Sequence, residues 1–152
     1  MKSSEIEIAF PVLGFTPDLE NWGFPDLNRL TKCGTRTLKE NKQDGMEIVD
    51  AQGRCWRVLS IRRLGRAGSI LNLIPGFGPP QFRIEQELEA LPPVPLAELK
   101  RRARASMEKF QVDYMGFDGD EEAFADRMRQ LEAAPSYAEL YDVVGADTFE
   151  PY

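Results

Sequence analysis

The sequence predicts an α+β fold in which an antiparallel β-sheet of about five strands is followed by about three C-terminal helices that pack on it. Short segments of residues 1–90 alternate polar and apolar side chains, which is the period of a half-buried strand. After the proline-rich segment "LPPVP", apolar residues recur every three or four positions, which is the period of a helix. Strands first and helices last are typical of an α+β domain.

We expect residues 1–152 to form one domain. The sheet-forming part covers about 1–90, and the helical part covers about 95–146. Each part alone is too small to bury an adequate core, whereas 152 residues suit one ordinary domain. The proline-rich link between them is therefore interpreted as a turn within the domain.

The N-terminal third is interpreted as one strand, a loop and a short helix. "EIEIAF" (5–10) predicts the first strand, because it places Ile6, Ile8 and Phe10 on one face. The next segment, "PVLGFTPDLENWGFPD", is rich in proline and predicts a loop. "PDLNRLTKCGTRTLKEN" predicts one or two helical turns that begin near Asp26, followed by irregular or strand structure, since Gly34 interrupts the pattern.

Two hairpins are expected in the middle of the chain. In "GMEIVDAQGRCWRVLSIRRLG", two strands flank a four-residue turn at 50–53. "SILNLIP" and "FRIEQELEA" predict the second hairpin, around "GFGPPQ". In the latter strand alternate residues form one mainly apolar face opposite a charged one, namely Phe82, Ile84, Gln86 and Leu88.

Three helices are expected after the proline-rich link. The first begins at Pro95, which needs no N–H at a first helical position. The second covers about 120–133, with acids at its start that suit the helix dipole. The third begins at Ser136, which forms an S-x-x-E capping box with Glu139.

The composition excludes several kinds of enzyme. The chain has no histidine, which excludes Ser-His-Asp and Cys-His catalysis and all histidine-containing zinc sites. Cys33 and Cys55 are too few for a Cys₄ zinc site, and we expect them to be small buried hydrophobes. We predict no catalytic residue, no cofactor and no metal ligand, although chemistry based on carboxylates or a free thiol stays open.

The segment "DGDEEAFADRMR" resembles the start of a calcium loop but departs from that pattern further on. Positions one, three and five are acidic, yet position six is Ala123 instead of glycine and position twelve is Arg129 instead of glutamate. We interpret it as the beginning of a helix.

We expect a cytoplasmic protein with no membrane partner. The first residues, "MKSSEIEIAF", lack the apolar stretch and cleavage site of a signal peptide. No apolar run reaches the roughly 20 residues that a membrane-spanning helix needs.

The net charge of −6 is unevenly distributed along the chain. Residues 113–152 contain eleven acids and two bases, a charge of −9, and residues 1–112 carry +3. An acidic surface favours a basic protein as partner. The candidate partner-binding residues are Asp118, Asp120, Glu121, Glu122, Asp126, Phe149 and Tyr152.

The alternative is an anion- or nucleic-acid-binding domain that uses the arginine-rich strand 54–66 and the basic helix segment 100–104. Uninterrupted alternation would place Trp56 on one strand face with Arg54 and Arg62. A plain strand with solvated arginines, and helix arginines paired with the protein's own "DGDEE" segment, are the competing interpretations. The candidate anion-binding residues are Arg54, Trp56, Arg62, Arg63 and Arg102.

The hairpin "GMEIVDAQGRCWRV" and the terminal helix "SYAELYDVVG" resemble uncharacterised bacterial families, some of which are similar to the immunity proteins of polymorphic-toxin systems. The resemblance covers the general architecture of about the last two-thirds of the chain. It implies a non-enzymatic protein that binds and blocks a cognate toxin, commonly through an acidic surface. No individual residue role is carried over from these families.

Overall fold

The computed structural model describes residues 1–67, 80–111 and 120–144. Within these residues the protein is an α+β fold with one six-stranded sheet and five helices, and a 3₁₀ turn at Ser3–Glu5 precedes them. The strands are β1 (Val12–Phe15), β2 (Asn21–Phe24), β3 (Lys32–Gly34), β4 (Glu47–Val49), β5 (Cys55–Arg66) and β6 (Gln81–Leu91). The helices are α1 (Leu27–Leu30), α2 (Thr35–Glu40), α3 (Leu96–Lys109), α4 (Glu121–Ala133) and α5 (Tyr137–Val144).

The sheet has the strand order β2-β1-β4-β5-β6-β3, and all neighbouring strands are antiparallel. The two long strands β5 and β6 lie in the middle and pair from Cys55↔Leu91 to Arg66↔Phe82. The register of β5 against β6 shifts twice, so that Leu59 and Leu64 are extra residues on β5. Each such β-bulge moves the side chains that follow it to the opposite face.

Hydrophobic clusters cover both faces of the sheet. On one face, β1, β4 and β5 pack against α3, α4 and α5; Leu99, Met107, Leu131 and Leu140 from these helices are fully buried. The opposite face packs against α1 and the first ten residues. Its buried residues include Val12, Phe24, Leu30, Met46, Ile48, Trp56, Val58 and Leu88.

The strand predicted at 5–10 is wrong. Ser3–Glu5 form the 3₁₀ turn, and residues 6–10 belong to no strand. Ile6, Ile8 and Phe10 are nevertheless half-buried against the cluster on the face opposite α3, α4 and α5. The alternation therefore reflects one-sided burial of a segment that pairs with no strand. Residues 1–3 instead lie along β6, where Met1 O accepts a hydrogen bond from Leu88 N (2.6 Å).

Two strands of the sheet lie in segments that were predicted as a loop. β1 and β2 have four residues each and are mostly buried, so neither shows the alternation of a one-sided strand. The sheet consequently has six strands instead of about five. The strand predicted at "SILNLIP" lies outside the described residues.

The first predicted hairpin is confirmed, with a shorter turn. Asp50 and Arg54 pair through Asp50 N–Arg54 O (3.0 Å), and Gly53 N donates to Asp50 O (3.0 Å). Gly53 has a φ of +82°, which glycine adopts without strain. The loop thus has three residues and a glycine bulge, a common hairpin connection. The buried face predicted for β6 is also confirmed, because Phe82, Ile84, Gln86 and Leu88 are all buried.

The three C-terminal helices are confirmed close to their expected bounds. Asp120 caps α4 by accepting from Ala123 N (3.0 Å), and Ser136 Oγ accepts from Glu139 N (3.2 Å) at the start of α5. Pro95 is the N-cap of α3, so the helix begins at Leu96, one position after the predicted first residue. No helix among the described residues is both long and apolar enough to cross a membrane.

Candidate functional site

Arg54, the first candidate anion-binding residue, holds a buried carboxylate of the protein itself. The Asp50 side chain is fully buried, and its Oδ2 accepts from Arg54 Nε (2.8 Å) and Ala9 N (3.1 Å). Its Oδ1 accepts from Gln52 N (2.9 Å) and Arg54 N (3.0 Å). These hydrogen bonds join the hairpin turn to the N-terminal segment, so Arg54 stabilises the folded structure.

Trp56 and Arg62 do not share a face, so the predicted aromatic and basic platform is wrong. Val58 pairs with Leu88, but Ser60 pairs with Glu87, since Leu59 is the extra residue of a bulge. Trp56 is therefore buried in the second cluster with 7% of its surface exposed. Arg62 lies on the other face, where its guanidinium bonds Glu85 Oε1 (2.8 Å).

Arg102 joins helix α3 to the sheet. It donates to Glu47 Oε2 on β4 (2.9 Å) and to Glu98 Oε1 one turn earlier on α3 (3.3 Å). Glu47 also accepts from Arg57 on β5 (3.0 Å). Hydrogen bonds, first from Arg101 and then from Arg102, lower the pKa of Glu98 to about 2.

Lys100 and Arg104 bind helix α4. Arg104 Nε donates to Glu132 Oε1 (3.0 Å), and Lys100 Nζ donates to Glu132 O (2.8 Å). The basic helix thus pairs with acids of the same protein, but these acids are Glu47, Glu98, Glu108 and Glu132. None of the described acids of "DGDEE" is among its partners, and Asp118 lies outside the described residues.

The acidic candidates that the structure describes lie at the beginning of α4. Asp120, Glu121, Glu122 and Asp126 are all exposed. Asp126 accepts from Arg129 (3.2 Å) and Asp120 caps the helix. Within residues 1–67, 80–111 and 120–144, neither Glu121 nor Glu122 forms an ion pair. Phe149 and Tyr152 lie outside these ranges.

A groove of about 690 Å³ lies between α3 and α4, next to the acidic residues. Phe124 and Met128 line it, together with the charged side chains of Arg104, Glu108 and Glu132. An apolar lining with charged edges suits an inserted side chain of a partner more than it suits a reaction.

The two cysteines lie in the core, as expected. Cys33 and Cys55 are free, with 1% and 3% of their surfaces exposed. Burial raises the pKa of each thiol to about 11. A protonated, buried thiol is a poor nucleophile. The described ranges also contain no group of three or more histidine, cysteine or carboxylate side chains that could hold a metal ion.

Sequence reasoning missed three residues that organise the charges of the sheet. Glu47 binds two arginines, one from β5 and one from α3. Lys32 and Arg83 stand directly opposite each other on β3 and β6. The Glu47–Arg57 pair follows from the register of the predicted hairpin, but no local signal could have revealed the Glu47–Arg102 and Lys32–Arg83 neighbours, because those residues are more than 50 positions apart in the chain.

Comparisons with known proteins give no match: no protein-family model, no curated protein and no solved structure is significantly similar to this chain.

Proposed function

We propose that this protein is a non-enzymatic protein-binding module whose acidic surface at the beginning of α4 binds a basic partner protein. The partner is a toxin or enzyme that the module inhibits, as the resemblance to immunity proteins implies. The observation that carries this proposal is the contrast between neutralised arginines and unneutralised acids on the same molecule.

The arginines are largely neutralised within the protein. Most arginines of the two candidate anion-binding segments already hold carboxylates of the protein itself. They are Arg54, Arg57, Arg62, Arg101, Arg102 and Arg104. An external anion at these residues would compete with existing ion pairs. This competition disfavours the alternative function, nucleic-acid binding through the candidates Arg54, Arg62 and Arg102.

The acidic residues at the beginning of α4 are accessible to a partner. Glu121 and Glu122 are exposed and have no ionic partner among the described residues. Uncompensated charges of one sign raise the rate at which a partner of opposite charge associates. The groove lined by Phe124 and Met128 lies on the same helix and supplies apolar contact area. Charge would thus guide the partner, and the groove would hold one of its side chains.

We also propose a cytoplasmic location. Two free thiols persist most readily in a reducing compartment, where disulfides are rare.

The test compares two double variants with the same change in net charge. Glu121→Lys with Glu122→Lys reverses the charge on α4, and Glu7→Lys with Asp44→Lys reverses two exposed acids elsewhere. Each protein is used to capture partners from a bacterial lysate at low salt, and the association rate of any captured protein is then measured. We expect the α4 variant to associate at least about tenfold more slowly, and the control to retain most of the rate.

Two results would contradict the proposal. Equal losses in both variants would show that net charge alone matters. An unchanged association rate in the α4 variant at low salt would show that the partner binds elsewhere.

A further inference from the structure

Among the described residues, the outer part of β5 is an open edge of the sheet. β4 pairs only with Cys55, Trp56 and Arg57, and Val58 still bonds to Gly45 and Met46. Beyond Val58, β5 has β6 on one side and no strand on the other among the residues that the structure describes. An edge of this kind presents backbone N–H and C=O groups on which another strand can pair.

Two exposed leucines lie on this edge. Leu59 and Leu64 expose 48% and 54% of their surfaces. Only two other large hydrophobic residues in the described ranges, Met1 and Leu27, are so exposed. Two such side chains on one short edge indicate a contact surface.

On the face of β5 and β6 that holds Arg57 and Arg62, two cross-strand positions pair an arginine with a glutamate, but the last position does not. Arg57 faces Glu89 and Arg62 faces Glu85, and both pairs form ion pairs (3.6 and 2.8 Å). At the last position, Gly65 faces Arg83, and Lys32 faces Arg83 from β3. This position therefore has two cations and no acid.

Like charges that face each other across strands are destabilising. Arg83 donates to the neutral Asn28 Oδ1 (3.0 Å). Within the described part of the chain, neither Lys32 nor Arg83 forms an ion pair, and the same holds for Arg63 and Arg66 on the opposite face. An external carboxylate would relieve this repulsion.

Gly65 leaves space for such a carboxylate. A Cβ atom at this position would meet no atom within 4 Å. A strand added to the free edge would lie about 4.8 Å from β5. A glutamate on that strand could then extend into the space above Gly65, towards Arg83.

We propose that the edge 59–66 binds an extended acidic segment of a partner protein. The segment adds a short strand to β5, directs a carboxylate towards Arg83, and packs apolar side chains on Leu59 and Leu64. The two bulges restrict regular pairing to residues 60–63, so side chains supply much of the affinity. Nucleic acid fits this edge less well, because the nearby rings of Trp56 and Phe82 are only 7% and 6% exposed and cannot stack on bases.

The experiment measures binding of a fluorescein-labelled octapeptide of alternating glutamate and valine to the full chain by fluorescence anisotropy. We expect saturable binding, which Arg83→Gln and Leu64→Ser each weaken at least about fivefold. The matched controls are Arg101→Gln and Leu27→Ser, which alter an exposed arginine and an exposed leucine elsewhere and change binding less than about twofold. A lysine–valine octapeptide should not bind.

Hydrogen exchange locates the peptide independently of these variants. Bound peptide should slow amide exchange within 60–66. The proposal is overturned by no saturable binding at a peptide concentration on the order of 1 mM, or by protection confined to α4. It is also overturned if a twelve-residue oligothymidylate binds as well as the peptide and Leu64→Ser has no effect. None of these results depends on Glu121 or Glu122, so this proposal and the proposed function can fail separately.

Discussion

Replacing Asp50 by alanine removes a carboxylate that accepts four hydrogen bonds in the core of the hairpin turn. Three donors are backbone N–H groups, of Ala9, Gln52 and Arg54, and the fourth is the Arg54 guanidinium. Breaking a buried ion pair by removing one partner costs about 3–5 kcal/mol. The Arg54 side chain is 40% exposed, so water can replace part of its lost contact. We therefore expect Asp50→Ala to lower the free energy of unfolding by about 3 kcal/mol.

The assay is urea unfolding at pH 7, followed by far-ultraviolet circular dichroism. Asp44→Ala is the control, because Asp44 is an exposed acid near the same hairpin and its side chain makes no hydrogen bond or ion pair with any described residue. We expect this control to change the free energy of unfolding by less than about 0.5 kcal/mol. If Asp50→Ala lowers the free energy of unfolding by less than about 1 kcal/mol, with an unchanged slope against urea concentration, the Asp50 hydrogen bonds do not stabilise the turn as described.

Three further predictions concern the same core and its ion pairs. Gly53→Ala should destabilise the protein by about 2 kcal/mol in urea unfolding, since φ is +82° and the new Cβ would lie 2.5 Å from Tyr137 Oη; stability equal to wild type would contradict the turn geometry. Cys33 and Cys55 should react slowly with a thiol reagent at pH 8 and rapidly in denaturant, because their pKa values are about 11; fast labelling of the native protein would count against their burial. Glu98 has a folded pKa of about 2 against 4.5 when unfolded, so its stabilising contribution is complete above pH 4.5 and declines as the pH falls towards 2. Glu98→Gln should weaken the dependence of the free energy of unfolding on pH in that range. If this dependence is the same in the variant as in the wild type, these hydrogen bonds do not form.

Features that depend on neighbours along the chain could be predicted from the sequence. The start of α4 follows from Asp120 and the start of α5 from Ser136, because an N-cap bonds a residue only three positions away. The buried face of β6 follows from strict alternation over eight residues. The burial of Cys55 follows from the apolar alternation around it, whereas that of Cys33 follows only from the general tendency of free cysteines to be buried.

Features that depend on strand pairing could not be predicted in this way. The segment 5–10 has the alternation of a strand but no ladder partner, whereas β1 and β2 are strands without the alternation. Whether a segment joins a sheet depends on what lies beside it, and that neighbour is distant in sequence.

The candidate sites show the same difference between local features and features that depend on strand pairing. The sequence by itself determined the acidic start of α4, the exclusion of histidine chemistry and the α+β class, because these depend on composition and local periodicity. Only the tertiary structure decided which charges are neutralised. The bulge at Leu59 separates Arg62 from Trp56, Glu47 holds Arg57 and Arg102, and β3 places Lys32 against Arg83. Electrostatic energy depends on distance in space, which strand register sets and spacing along the chain does not.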